Sequence, residues 1–153
     1  MLSLEIITKL QTSELTEAAR VIQRGLQRQI PGERGKLSKI IENLRKQNCF
    51  VYKEKGEIKG IVWFRINKNN IQIKFICADK PRKGIGSRLI LNLAQYGLAK
   101  KIRYVISIVS LADIKAVKFY NSLGFKQYKK FKSNGSYIRV RPIDIIKKKQ
   151  NLI

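Results

Sequence analysis

ICADKPRKGIGSRLILNL, residues 76–93, decides how this chain is read, because it joins a strand to a helix through a glycine-bearing turn. Upstream, Ile71, Ile73, Phe75 and Cys77 alternate with Gln72 and Lys74, the period of two expected of a strand. Downstream, Leu89, Ile90, Leu93, Ala94 and Leu98 share one face of a predicted helix. Between them lies Lys83-Gly84-Ile85-Gly86-Ser87. Glycines at such a turn let the backbone approach a ligand closely. The N–H groups of the following helical turn point outward and carry partial positive charge, which suits a phosphate. Lys80, Arg82, Lys83 and Arg88 add formal charge around it. Taken alone, Gly84-Ile85-Gly86 is equally the mark of a simple tight turn. It is neither a G-x-x-x-x-G-K phosphate loop nor a dinucleotide fingerprint, whose third glycine is absent.

Working outward, residues 2–8 read as a first strand, and Thr12 or Ser13 starts a helix whose apolar stripe is Leu15, Ala18, Ala19, Ile22 and Leu26. Pro31-Gly32 breaks it, and Leu37, Ile40, Ile41 and Leu44 mark a second short helix. Residues 49–53 and 57–66 flank Lys55-Gly56 as a hairpin, and Asn67–Asn70 is a further turn. Residues 104–109 read as a buried strand. Asp113 then caps a helix over 114–123 that stops at Gly124, and Ser133-Asn134-Gly135-Ser136 turns a last hairpin. The order is β-α-α-β-β-β-α-β-α-β-β in one domain, residues 1–145, with a frayed basic tail at 146–153.

Composition limits the chemistry. The 153 residues hold 33 Lys and Arg against 10 Asp and Glu, a net charge of +23, and no histidine. Nucleophile pairs and general bases built on histidine are therefore excluded, and two distant cysteines make no zinc site. Codon bias toward Lys, Ile and Asn would raise Glu as readily as Lys, so the shortage of acid points to a surface that attracts polyanions. Residues 1–73 carry 14 basic and 7 acidic groups, residues 74–153 carry 19 and 3, so the second half is where a polyanion should lie. Arg20, Arg24 and Arg28 form one row on the first helix, suited to a phosphate backbone or simply to solvent. Lys126, Lys129, Lys130 and Lys132, interleaved with Tyr128 and Phe131, form a second candidate surface. No apolar run reaches the roughly 18 residues of a membrane helix, the start is too acidic for a signal peptide, and free buried thiols suit a reducing compartment. A cytoplasmic protein without a membrane partner is the expectation.

The glycine turn has a second motif downstream. Residues 76–93 resemble the signature of the GNAT superfamily of acyl-CoA N-acyltransferases, whose loop reads Gln/Arg-x-x-Gly-x-Gly/Ala. DIKAVKFYNSLGF, residues 113–125, resembles that family's second signature, Asn-x-x-Ala-x-x-Phe/Leu-Tyr followed by Gly-Phe. The resemblance implies a mixed α/β (α+β) fold: a central, mostly antiparallel sheet, splayed in its middle and flanked by helices. It implies an N-acetyltransferase that moves an acetyl group from acetyl-CoA, with no metal, to a primary amine on a protein or nucleic-acid-associated acceptor. Backbone groups of Arg82, Lys83, Gly84, Ile85, Gly86 and Ser87 would hold the pyrophosphate, and those of Ile76 and Cys77 the pantetheine arm. Asp113 would border the same ligand. Tyr120 would protonate the leaving thiolate; as a side chain beside Phe119 it is also a fitting core aromatic.

Three positions depart from the family pattern. Pro81 replaces the Gln/Arg, with Arg82 one place later; Asp113 replaces Asn; and the strand over 71–78 offers Gln72 and Lys74 where many relatives place a Glu base. Glu33 and Glu42 are candidates for a base acting through water. Without a nearby base, an α-amine of reference pKa about 7.7–8.0 is a better acceptor than a lysine amine of about 10.4, and a positive site disfavours polycationic acceptors. An aminoacyl-tRNA, a protein amine in a ribonucleoprotein or chromatin assembly, and a nucleobase all qualify. The competing expectation is a GNAT-fold module that binds RNA, DNA or ribonucleoprotein and has lost catalysis.

Overall fold

The computed structural model describes residues 5–29, 36–46, 48–79 and 84–150. The elements are β1 (Glu5–Lys9), α1 (Leu15–Gln29), α2 (Leu37–Arg45), β2 (Asn48–Glu54), β3 (Glu57–Asn67), β4 (Asn70–Ala78), α3 (Ile85–Ala99), β5 (Tyr104–Ser110), α4 (Ile114–Ser122), β6 (Lys126–Phe131), β7 (Gly135–Val140) and α5 (Pro142–Gln150). The strands form one sheet in the order β1-β2-β3-β4-β5-β7-β6. The β4–β5 pair is parallel, while β1–β2, β2–β3, β5–β7 and β6–β7 are antiparallel. A parallel pair needs a long crossover, and α3 supplies it. This is the mixed, mostly antiparallel sheet with flanking helices that the sequence implies. The parallel register covers Asn70–Gln72 against Tyr104–Ile106 and ends there.

The chain divides into two compact units, one of residues 1–64 and 74–90 and another of 65–73 and 91–153. In the first, Leu15, Ala18, Ala19, Val21 and Ile22 of α1 pack with Ile40 and Leu44 of α2 onto Cys49, Val51, Ile58, Ile61 and Cys77. The stripe on α1 is the expected one, widened by Val21. Two glycines set how closely the layers approach. A Cβ on Gly25 would stand 2.8 Å from Cys77 Cβ, so α1 lies on β4 with no room for a side chain. A Cβ on Gly60 would stand 2.5 Å from Ile85 Cγ2, so the start of α3 lies as tightly on β3. With neighbours on both faces, β3 reads as a near-continuous apolar run.

The second unit is built differently. In β5 and β7 Val105, Ser107, Val109, Ser136, Ile138 and Val140 are buried, while alternate residues keep some exposure. The strand at 104–109 is therefore half-buried, not buried throughout: Ile108 is 38% exposed. Leu98, expected on the apolar face of α3, is exposed as well.

Several ends differ from expectation for local reasons. The first helix begins with a 3-10 turn at Thr12–Glu14 capped one residue earlier than Thr12, where the Gln11 N–H donates to Glu14 Oε1 at 3.0 Å. The basic tail is helical through Gln150, anchored by fully buried Ile145. The Pro31-Gly32 break and Glu33 lie outside the described residues. Lys55, Gly56, Lys68 and Ser133 take positive φ in the turns, as the hairpin signals require.

Gly25→Val tests the α1–β4 contact. Forcing a branched side chain against Cys77 should destabilise by about 1–3 kcal/mol. Thermal denaturation should show a Tm lower by roughly 2–4 °C for each kcal/mol.

Candidate functional site

Gly84 stands at the start of α3, where the sequence places its glycines. β4 ends at Ala78, and α3 starts at Ile85 directly after Gly84. Gly84 has φ of 75°, and among the described residues a Cβ there would meet nothing within 4 Å, which leaves that side of the backbone open to a ligand. Its carbonyl accepts from the Arg88 N–H at 3.1 Å, the first helical bond of α3. The amides of Ile85, Gly86 and Ser87 therefore precede the first helical partner and form the positive end of a 15-residue helix. That arrangement fits a pyrophosphate. Arg82 and Lys83, with Lys80 and Pro81, lie outside the described residues. Arg88 reaches back to Tyr52, its Nη1 donating to the Tyr52 hydroxyl at 3.0 Å.

What holds the strand end was not apparent from sequence. Arg24 Nε and Nη2 donate to the two carboxylate oxygens of Asp79 at 3.3 and 3.0 Å. Arg28 Nη2 donates to the Ala78 carbonyl at 2.6 Å and Nη1 to the Asp79 carbonyl at 3.4 Å. The Asp79 N–H donates to Lys59 O at 2.7 Å. Two of the three arginines in the row Arg20–Arg24–Arg28 are thus committed to Ala78, the last residue of β4, and to Asp79 after it, which corrects their reading as a phosphate track. The spacing i, i+4 carried the signal, but the partner is 50 or more residues away.

Ile76 is partly exposed and Cys77 is buried in the layer against α1. Burial pushes the Cys77 thiol up to about 12, and that of Cys49 to about 12 as well. Neither thiol is a nucleophile near neutral pH. Both are free.

In the second unit, Asp113 caps α4 as expected, its Oδ1 accepting from the Ala116 N–H at 3.1 Å. Farther along the helix, Tyr120 is 7% exposed, with its ring edge-on to Phe119 at 5.2 Å and to Phe125 at 5.1 Å. Its hydroxyl is hydrogen-bonded to buried Ser107, a partner that no sequence spacing indicates. Burial raises the phenol above its ordinary value, the bond to Ser107 opposes that rise, and the Asp113 charge adds to it. Tyr120 is therefore both a packed aromatic and a group that keeps its proton at neutral pH.

A cavity of about 230 Å³ opens in the first unit among Ile22 and Leu26 of α1, Lys36, Lys39, Ile40 and Asn43 at α2, Trp63 of β3 and Phe75 of β4. Its walls are apolar and its charged groups are two lysines; no carboxylate is among the described lining residues. The indole N–H of Trp63 is buried without a hydrogen-bond partner among the described residues. Glu42, a candidate base in the sequence, instead faces solvent and pairs with Lys46 at 3.5 Å. Among the described residues no His, Cys, Asp and Glu groups cluster as a metal site would, and no helix is long and apolar enough to cross a membrane.

Solved structures share this fold. No curated protein matches the chain in sequence. Among solved structures, the ribosomal-protein-S18-alanine N-acetyltransferase of Escherichia coli superposes with a TM-score of 0.72 at 17% identity, covering 88% of this chain and 90% of that one. The PaiA N-acetyltransferase of Thermoplasma acidophilum, solved with coenzyme A, gives 0.78 at 15% identity, covering 90% and 98%. A spermidine N-acetyltransferase chimera from Vibrio cholerae and hSSAT gives 0.75 at 17%, covering 94% and 99%. These likenesses share the fold. The model of the acetyltransferase (GNAT) domain matches residues 31–141, a span that contains the Gly84 turn, Asp113 and Tyr120, and the chain belongs to the GNAT acetyltransferase family.

Proposed function

We propose that this chain moves an acetyl group from acetyl-CoA to an amine of low pKa on a protein or nucleic-acid-associated acceptor. The observation that carries the acceptor half is the cavity beside α1 and α2, apolar with Lys36 and Lys39 and without a carboxylate among its described lining residues. Such a site repels polyamines and disfavours an ammonium ion. An α-amine, with a reference pKa of about 7.7–8.0, is largely neutral there without a general base, whereas a lysine amine near 10.4 is not. Of the similar structures, one is named for an alanine of a ribosomal protein and one for spermidine; the charge favours the first kind of acceptor.

Acetyl-CoA supplies the activated acetyl group. The backbone of Arg82 to Ser87 binds its pyrophosphate, supported by the positive φ of Gly84 and the open α3 terminus. Ile76 and Cys77 offer strand backbone to the pantetheine arm beyond the point where the parallel register ends, and Asp113 fixes the start of α4. Tyr120 keeps a proton at its Oη for the departing sulfur. Its raised pKa keeps that proton in place through neutral and mildly alkaline pH. The net charge of +23 supports a polyanion, RNA, DNA or ribonucleoprotein, as the acceptor's setting. Buried, unpaired thiols suit a reducing, cytoplasmic location. We take residues 1–145 as one catalytic domain. The reading as a binding module without catalysis draws on Pro81 and the missing base, and acetyl-CoA binding separates the two.

Three outcomes are expected. Calorimetry should show acetyl-CoA binding that Gly86→Glu abolishes, since the new carboxylate would face the pyrophosphate; a wild type that does not bind ends the enzyme reading. Tyr120→Phe should lower kcat by about 10²–10⁴-fold with little change in the acetyl-CoA KM. The wild-type rate should show no alkaline fall assignable to Tyr120 below a pH of about 10, and an unchanged kcat would leave Tyr120 a packing residue. In competition, peptides with a free α-amine should be acetylated in preference to spermidine, and the reverse order would overturn the acceptor assignment.

A further inference from the structure

We propose that the uncovered face of the β5–β7–β6 sheet is a docking platform for single-stranded nucleic acid. The proposal refines the polyanion reading above by giving it a location and a preferred strandedness. Strand register brings the residues together. Ile106 pairs with Arg139 and Arg139 with Lys126; Ile108 pairs with Tyr137 and Tyr137 with Lys129. Residues on the other face of these strands, such as Val105, Ser107, Ile138 and Val140, are buried, so this face is the outward one. A register shift between Gln127 and Lys129 inserts Tyr128 as the extra residue of a bulge, a device that re-aims a side chain. The Arg139 guanidinium then lies 4.3 Å from the Tyr128 ring centre and 4.1 Å from that of Tyr104. Tyr128 and Tyr137 are 6.1 Å apart, and Lys129 Nζ lies 5.8 Å from the Tyr137 ring.

The result is a row of rings and a guanidinium flanked by lysines, with Tyr128 40% and Ile108 38% exposed. Lysines alone would attract any polyanion. The rings, held in place by the guanidinium between them, add π-faces on which unpaired bases stack, and sheets that bind single strands use aromatic faces beside cations in this way. A duplex keeps its base faces inside and could meet only the cations. An acidic peptide would use the cations and leave the rings without partners of their kind. Charge complementarity is strong on this side of the chain: residues 91–153 hold two carboxylates, Asp113 and Asp144. The first caps α4, and the second pairs with Arg141 at 2.8 Å. The charge of Lys126 also acts on Asp144, while Lys129 meets no carboxylate in an ion pair among the described residues.

Fluorescence anisotropy with labelled oligouridylate and oligothymidylate of roughly 12 nucleotides, within the range one such module covers, and with a duplex of equal length tests this. The single strands should bind more tightly than the duplex. Tyr128→Ala should weaken that binding by about 5- to 150-fold, the equivalent of ~1–3 kcal/mol for one stacked base, and Tyr128→Phe should restore it. Lys126→Gln and Lys129→Gln should each lower the slope of log K against log salt by about 0.7, with acetyl-CoA binding and thermal stability unchanged. Equal or tighter binding of the duplex, or indifference to Tyr128→Ala, overturns the platform while leaving the polyanion reading intact. Failure to bind any nucleic acid ends both. A concentration-dependent dimer that Tyr128→Ala disrupts would assign the face to a second copy of the chain and overturn the proposal.

Discussion

The grip of Arg24 and Arg28 on the end of β4 is the contact on which the proposed cofactor turn depends. Arg24 meets both oxygens of Asp79, and Arg28 holds the carbonyls of Ala78 and Asp79. The Arg24 side chain is half exposed, so the ion pair adds at most about 1 kcal/mol to stability. Its importance is geometric. A bidentate guanidinium fixes direction as well as distance. The strand therefore leaves the sheet at a defined place, with Ala78 and Asp79 held from α1.

That grip exists because α1 lies very close to β4. Gly25 has no side chain where one would strike Cys77, and the small Ala18 and Ala19 are fully buried on the same helix. Closeness on this face is matched on the other, where Gly60 admits Ile85 at the first turn of α3. The positive end of α3 and the end of β4 are thus both set by glycine contacts in the same unit. Cys77, the residue against which Gly25 packs, serves as a small buried side chain. Its thiol stays protonated, so the part proposed for it in the site belongs to its backbone.

The proposed acid in the second unit is positioned by a similar logic. Tyr120 rides on the helix that Asp113 caps, and the cap fixes where α4 begins. Phe119 and Phe125 hold the ring by edge contacts, while Ser107 gives the hydroxyl a partner in an otherwise apolar place. A buried hydroxyl without such a bond would cost free energy. Packing and acid chemistry are compatible in one residue here, because the same burial that makes Tyr120 a core aromatic keeps it protonated.

Periodicity and turn chemistry were enough to read the order of elements, the Lys55-Gly56 and Ser133–Ser136 hairpins, the Asp113 cap and the strand–Gly84–helix turn. Each is local: it depends on residues within a few positions of one another, so the chain carries it without its neighbours. The extra helix at Pro142–Gln150 escaped because its lysines resemble a frayed tail, whereas in the structure buried Pro142 and Ile145 dock it. The partial exposure of β5 escaped because an apolar run looks the same whether one face or two are covered. The destinations of Arg24 and Arg28, the bond from Tyr120 to Ser107 and the stacking of Arg139 between Tyr104 and Tyr128 all join residues distant in sequence or in different strands. Sequence determined which groups were available; the tertiary structure decided which of them met, because a charge, a hydroxyl or a ring takes its role from the partner within a few ångströms, and that partner is set by packing.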